Sequence, residues 1–259
     1  MNKVHEGIFR YTESGSKSPL ILLHGLFGEL SNFNSVVEHF QKNYRVIVPE
    51  LPLYELGPDD CHIPALVEFT RDFTDYLGLK SFALLGNSLG GHIALLFAGK
   101  YPERVEKLVL TGSSGLYENA FGKTVPRRYD KTYIHSTIER TFYDPRHATD
   151  ELVERCYRIL SNQEKLGRII KFSKSSIRQN LHEVLPDVNI PACLIWGRND
   201  RITPPSVAET FKQRMPRASL FWIDACGHAP MMERPQEFNS ILEDWLLSER
   251  SSDSGSCVG

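Results

Sequence analysis

One stretch constrains this chain more than any other. Phe82-Ala83-Leu84-Leu85 runs into Gly86-Asn87-Ser88-Leu89-Gly90-Gly91, and that into His92-Ile93-Ala94-Leu95-Leu96-Phe97. A short apolar run gives way at once to helix formers, with glycines on both sides of one serine. G-x-S-x-G at such a junction is the sequence form of a sharp strand-to-helix turn that lifts a serine hydroxyl above the end of a sheet. Gly86 and Gly90 fit a turn too tight for side chains. Ser88 is expected in a strained conformation at a helix N-terminus, where backbone N–H groups point toward incoming negative charge. A glycine-rich turn is also ordinary punctuation between strand and helix, so the rest of the chain has to decide its meaning.

Several other segments repeat the same rhythm. Val4 to Thr12 reads as an edge strand or hairpin, closed by Glu13-Ser14-Gly15. Leu20-Ile21-Leu22-Leu23, Arg45-Val46-Ile47-Val48, Val105 to Thr111, Ala192 to Trp196 and Ser219 to Ile223 are apolar runs of strand length. Continuous apolarity is the mark of strands buried on both faces. Helical patterns fall between them: about 31–41, Pro64 to Leu77, the segment after Ser88, about 204–215 and about 235–247. Strands alternating with helices predict an α/β domain built on a mostly parallel sheet with helices on both faces.

From Leu116 to about Leu185 the rhythm breaks. No buried-strand run occurs, and Asp150 to Leu160 is an amphipathic helix behind a possible cap, Thr149. So long an excursion is not expected to be bare loop. It is read as a helical lid, residues 116–185, inserted into a core domain of residues 1–115 and 186–249, with 250–259 a serine- and glycine-rich disordered tail. The lid carries thirteen basic and nine acidic residues, which fits a solvated helical surface or an anionic substrate.

With a net charge of −2, nothing marks nucleic acid or an anionic membrane as a partner. The start lacks the apolar run of a signal peptide, and no stretch has the length of a membrane span. The five cysteines (Cys61, Cys156, Cys193, Cys226, Cys257) are scattered without metal-site spacing. They are expected as reduced thiols in a cytoplasmic protein with no metal and no cofactor. A small molecule is the expected partner, and monomer or homodimer both remain open.

Three reactive side chains sit just past three different strands: Ser88, Asp200 and His228. That rim is where open α/β sheets bind ligands. A serine hydroxyl needs a base to take its proton, and imidazole suits the task. The imidazole needs an acid that fixes its tautomer and steadies its cation. Asp200 fills that role here, although as a residue ahead of Ile202-Thr203-Pro204 it also reads as a helix cap. Asp224, four residues before His228, and Glu50, after an earlier strand, are rival acids. His24-Gly25-Leu26-Phe27-Gly28 follows the first buried strand. Its backbone N–H at Leu26, or at Phe27, would join that of Leu89 as donors to an oxyanion. His24 is read as holding this loop, Gly25 as keeping it open to a ligand, and Cys226 as a packing residue.

With His24-Gly25, Gly86-Asn87-Ser88-Leu89-Gly90-Gly91, Trp196-Gly197-Arg198-Asn199-Asp200 and Gly227-His228 in place, the chain resembles the α/β-hydrolase superfamily nearly end to end outside the lid. The resemblance implies an eight-stranded sheet and the triad Ser88, Asp200 and His228. Serine at the nucleophile position disfavours the epoxide and carbon–halogen chemistry of members that carry aspartate there. Asn87 beside Ser88, with Cys226-Gly227-His228, resembles the meta-cleavage-product hydrolases, which cut carbon–carbon bonds. In that group Asn87 lies at the substrate, and a lid arginine binds the substrate carboxylate; Arg178 is the candidate. Two departures stand out: the loop at Gly25 lacks a run of glycines, and Glu50-Leu51-Pro52-Leu53-Tyr54 replaces Asp-x-Pro-Gly-x-Gly. They place hydrolysis of a small ester, thioester or lactone first and carbon–carbon cleavage second. A ligand receptor of slow turnover on the same fold is the reading from another class.

Overall fold

The apolar runs become strands whose alternate residues enter two different cores. The structure, a computed structural model, describes residues 2–28, 30–118 and 129–253. Its strands are β1 (Asn2–Glu6), β2 (Phe9–Ser14), β3 (Ser18–Leu23), β4 (Tyr44–Pro49), β5 (Phe82–Asn87), β6 (Val105–Thr111), β7 (Ala192–Gly197) and β8 (Ala218–Ile223). They form one eight-stranded sheet in the order β1-β2-β4-β3-β5-β6-β7-β8. The first two make an antiparallel hairpin at the edge, and β3 to β8 run parallel. On β3, Ile21 and Leu23 join one core while Leu20 and Leu22 join the other; on β6, Leu108 and Leu110 oppose Val109 in the same way. Each fully buried side chain of this kind contributes about 1.5–3 kcal/mol, so both layers depend on the unbroken apolar runs.

The helices cover the two faces. α1 (Asn34–Phe40) packs through Val36, Val37 and Phe40 into one core; α2 (Ile63–Tyr76) and α3 (Leu89–Lys100) pack into the other. His62 caps α2 through its ring nitrogen at 3.1 Å from the Ala65 N–H. α3 is buried over nine of its twelve residues, as expected for a helix apolar nearly all round. Between β6 and β7 lie α4 (Lys131–Glu139), α5 (Asp150–Ser161) and α6 (Gln163–Arg178). Thr149 caps α5, its hydroxyl accepting from the Leu152 N–H at 3.3 Å. Lys123, Arg127 and Arg128, three of the thirteen basic residues of the segment expected to form a lid, lie outside the described residues. α7 (Pro205–Arg214) follows β7, and α8 (Pro230–Glu233) and α9 (Pro235–Asp253) close the chain.

α9 takes in the first four residues of the segment read as a tail. A helix already formed adds one hydrogen bond per residue, and no glycine or proline intervenes before Gly255; residues 254–259 lie outside the described residues. Among the described residues, no helix is long and apolar enough to cross a membrane.

Candidate active site

Parallel strands bring the loops that leave their C-terminal ends to one rim. β3 pairs with β5 so that Leu23 faces Gly86, and β5 with β6 so that Asn87 faces Thr111. Ser88, directly after β5, has φ 56° and ψ −119°, a region that costs a non-glycine residue about 1–3 kcal/mol. The surroundings hold it there. Its N–H donates to Thr111 O at 3.1 Å, and its carbonyl accepts from Gly91, His92 and Ser114 N–H groups at 2.9, 3.2 and 3.1 Å. A Cβ at Gly90 would collide with the Leu23 carbonyl, and one at Gly86 with the Gly90 carbonyl. The turn closes only with glycine at both positions.

Asp200 and His228 meet across the ends of β7 and β8. His228 Nδ1 donates to Asp200 Oδ2 at 2.9 Å. That carboxylate also takes the Thr203 hydroxyl on Oδ2 at 2.8 Å, and the Ile202 and Thr203 N–H groups on Oδ1 at 2.8 and 3.0 Å. Both residues are buried. Asp224 instead pairs with Arg198 at 2.7 Å with its side chain 85% exposed, and Glu50 pairs with Arg10 at 3.2 Å. Only Asp200 of the three acids considered holds the ring. The bond at Nδ1 leaves Nε2 as the nitrogen able to accept a proton.

Burial favours the neutral ring of His228, but the charge and hydrogen bond of Asp200 oppose it, with Glu118 and Glu233 adding to them, and the net shift is upward from 6.5. The acidic limb of kcat/KM should therefore lie above pH 6.5, because only the neutral ring accepts a proton. The linked stability has the opposite trend. A folded-state value above the unfolded one stabilises fully below pH 6.5, and this contribution is lost as pH rises through the folded value. A pH profile of kcat/KM beside melting curves at the same pH values checks both trends.

Asn87 ties the two halves of the site together. Its side-chain nitrogen donates to Thr111 O at 2.9 Å and to His228 O at 3.2 Å. The residue before Ser88 thus grips the backbone of His228. The loop after β3 closes over the same place. A Cβ at Gly25 would lie 3.1 Å from the Ser88 Cβ, so that loop approaches Ser88 as closely as packing allows. His24 anchors it: Nε2 accepts the Leu51 N–H at 3.1 Å, which places the proton on Nδ1, 2.9 Å from Gly25 O. Leu51 belongs to the segment that departs from Asp-x-Pro-Gly-x-Gly, and its backbone is what fixes His24.

Gly25, Asn87, Ser88 and His228 line one cavity of about 140 Å³, together with Leu26, Phe27, Leu89 and Ile202. α4, α5 and α6 complete its walls with Ile138, Arg155, Cys156 and Ser176, among others. Arg178 is not on this wall. It is exposed at the last position of α6, past the inward turn that carries Phe172 and Ser176. Among the described residues, the arginine on this wall is Arg155 of α5, which donates to Phe27 O at 3.2 Å. Periodicity shows which positions of a helix are polar, not which polar position turns toward a cavity, so nothing in the sequence separated these two arginines.

Two acids went unnoticed in the sequence. Glu118 lines the cavity. Glu233, buried on α8, accepts the Gly227 N–H at 2.7 Å and the Tyr143 and Asp144 N–H groups at 2.7 and 3.3 Å. With His228 N–H donating to Thr141 O at 2.8 Å, Glu233 stitches the His228 loop to the segment after α4. The spacing Gly227 to Glu233 was visible, but an acid six residues past a glycine carries no pattern of its own. Cys226 is fully buried, and burial pushes its thiol far up, consistent with packing. His92, one turn past Ser88, meets Ser176 at 3.1 Å and is held neutral by burial, its pKa lowered to about 4.

A family model described as the alpha/beta hydrolase fold matches residues 18–235. A solved α/β hydrolase from the metagenome of lagoon sediments at Mar Chica, Morocco, is 40% identical, with a TM-score of 0.81 over 96% of this chain and 100% of that one. A 2-hydroxy-6-oxononadienedioate/2-hydroxy-6-oxononatrienedioate hydrolase of Paraburkholderia phymatum is 31% identical over 91% of this chain and 90% of its own length. Monoacylglycerol lipase ABHD6 of Bos taurus is 26% identical over 92% and 78%.

Proposed function

The chain belongs to the α/β-hydrolase fold family, and on that premise we propose that it hydrolyses a small carboxylic ester, or a thioester or lactone, through an acyl-enzyme on Ser88. The observation that carries this reading is one cavity lined by both Ser88 and His228, with the His228 ring held at Nδ1 by buried Asp200. In the first step, His228 Nε2 takes the Ser88 proton as Oγ attacks the carbonyl carbon. The charge that builds on the carbonyl oxygen meets the N–H of Leu89, at the start of α3, and that of Leu26 or Phe27. Loss of one such donor typically costs about 10²–10³ in rate. The imidazolium then returns its proton to the departing alkoxide, and the alcohol leaves. In the second half, Nε2 takes a proton from water as its oxygen attacks the acyl carbon; the imidazolium then returns that proton to Ser88 Oγ as the bond from Oγ to the acyl carbon breaks, which releases the carboxylic acid and restores the serine hydroxyl and the neutral ring.

Helices α4 to α6 act as a lid in this reading: they wall the cavity from the side away from the sheet, and excluding water strengthens every charge interaction inside. Carbon–carbon hydrolysis is the second reading, favoured by the relative from Paraburkholderia phymatum. One panel separates the two. With short-chain esters, long-chain esters and a dienoic keto acid as substrates, short esters should give acid and alcohol with the highest kcat/KM. Turnover of the keto acid alone would replace ester hydrolysis by carbon–carbon cleavage.

A further inference from the structure

Resting on that reading, we propose that Glu118 sets the charge preference of the cavity, admitting substrates with an ammonium group near the reacting carbonyl and rejecting those with a carboxylate there. Glu118 stands seven residues past the end of β6 and lines the same cavity as Ser88 and His228. Its carboxylate is held from behind by the Ser114 hydroxyl. Ser114 is buried, and its N–H donates to the Ser88 carbonyl at 3.1 Å. Two hydrogen bonds therefore connect the Glu118 carboxylate to the backbone of Ser88, which places the charge by construction rather than on a free loop. A carboxylate has about four acceptor sites, and one hydroxyl does not exhaust them.

The charge acts at short range in a wall that is mostly apolar. Ile138, Phe142, Leu152 and Met232 share the cavity, and a charge among such groups interacts far more strongly than in water. The same charge acts on the His228 ring, where Asp200, and with it Glu118 and Glu233, pulls the pKa upward against burial. Among the described residues, Arg155 is the arginine that lines the cavity, and it reaches to the Phe27 carbonyl in the loop after β3. Glu118 thus follows β6, while Arg155, on α5, is tied to the loop after β3. A substrate whose acyl chain ends beside Glu118 gains from an ammonium and is repelled by a carboxylate.

Three methyl esters of equal chain length test this: methyl 4-aminobutanoate, methyl pentanoate and methyl hydrogen succinate. The ratio of kcat/KM for the ammonium ester to that for the carboxylate ester should fall by about tenfold or more in Glu118→Gln. Glu118→Asp, which keeps the charge, should retain most of the ratio. In Glu118→Gln the acidic limb measured with methyl pentanoate should also move to lower pH, since one of the charges holding the His228 proton is gone. An unchanged ratio, or an unmoved limb, in a Glu118→Gln protein that still takes a neutral fluorophosphonate would overturn the assignment. A wild-type protein that hydrolyses none of the three esters and takes no fluorophosphonate fails earlier: the hydrolase reading falls, and the role of Glu118 with it.

Discussion

Replacing Ser88 by alanine should lower ester turnover by about five to six orders of magnitude, the scale seen when a nucleophile is removed from a working serine triad. The residual rate, still above that in water, would come from the oxyanion donors and from binding. The fold should survive. Alanine keeps the Ser88 Cβ against which the Gly25 loop packs, and the hydrogen bonds that Ser88 itself makes in this turn run through its backbone. The melting temperature should change little, so a lost rate cannot be blamed on lost structure. Kinetics with a short nitrophenyl ester, read beside a thermal melt, gives both numbers. Unchanged turnover would mean another group attacks the ester.

Asp200→Asn should cost about four orders of magnitude in kcat, for a reason specific to this carboxylate. Oδ1 accepts two backbone N–H groups, from Ile202 and Thr203. An asparagine can satisfy those only with its oxygen, so its NH2 must take the place of Oδ2, facing the Thr203 hydroxyl and His228 Nδ1. There it donates where the aspartate accepted. The ring proton moves to Nε2, and the nitrogen meant to receive the Ser88 proton is already occupied. The matched control is Asp224→Asn, which removes an exposed pair with Arg198 of the kind worth about 0–1 kcal/mol. Its effect on kcat should stay within about threefold. A mild Asp200→Asn beside a severe Asp224→Asn would reverse the assignment of the acid.

What the amino-acid order revealed follows from how far each signal reaches along the chain. β3 and β6 were legible because burial on both faces demands an unbroken apolar run, and Leu20 to Leu23 or Leu108 to Leu110 can be read without knowing their partners. β1 and β2, half exposed at the sheet edge, were readable only as an edge strand or hairpin between Val4 and Thr12; pairing then showed two strands, Asn2–Glu6 and Phe9–Ser14. Ser88, Asp200 and His228 stood out because each is set by a local turn beside glycine. Glu118, in the stretch after β6, and Arg155, on α5, did not, because which side chains face a cavity depends on how these segments settle on the sheet. No periodicity within α5 distinguishes Arg155 from the solvated Arg158, and the resemblance that pointed to Arg178 offered an arginine without the helix rotation needed to place it. Glu233 was hidden for a related reason: its partners are backbone N–H groups at Gly227, Tyr143 and Asp144, which any sequence supplies.

The central claim is that a hydroxyl, an imidazole and a carboxylate from three strand ends work as one nucleophilic device. Intact-protein mass spectrometry after treatment with a small fluorophosphonate, followed by peptide mapping, tests it most directly. The account predicts one adduct per chain, on Ser88, absent from Ser88→Ala and formed much more slowly in Asp200→Asn. An adduct on any other residue, or equal labelling of Ser88→Ala, would contradict it.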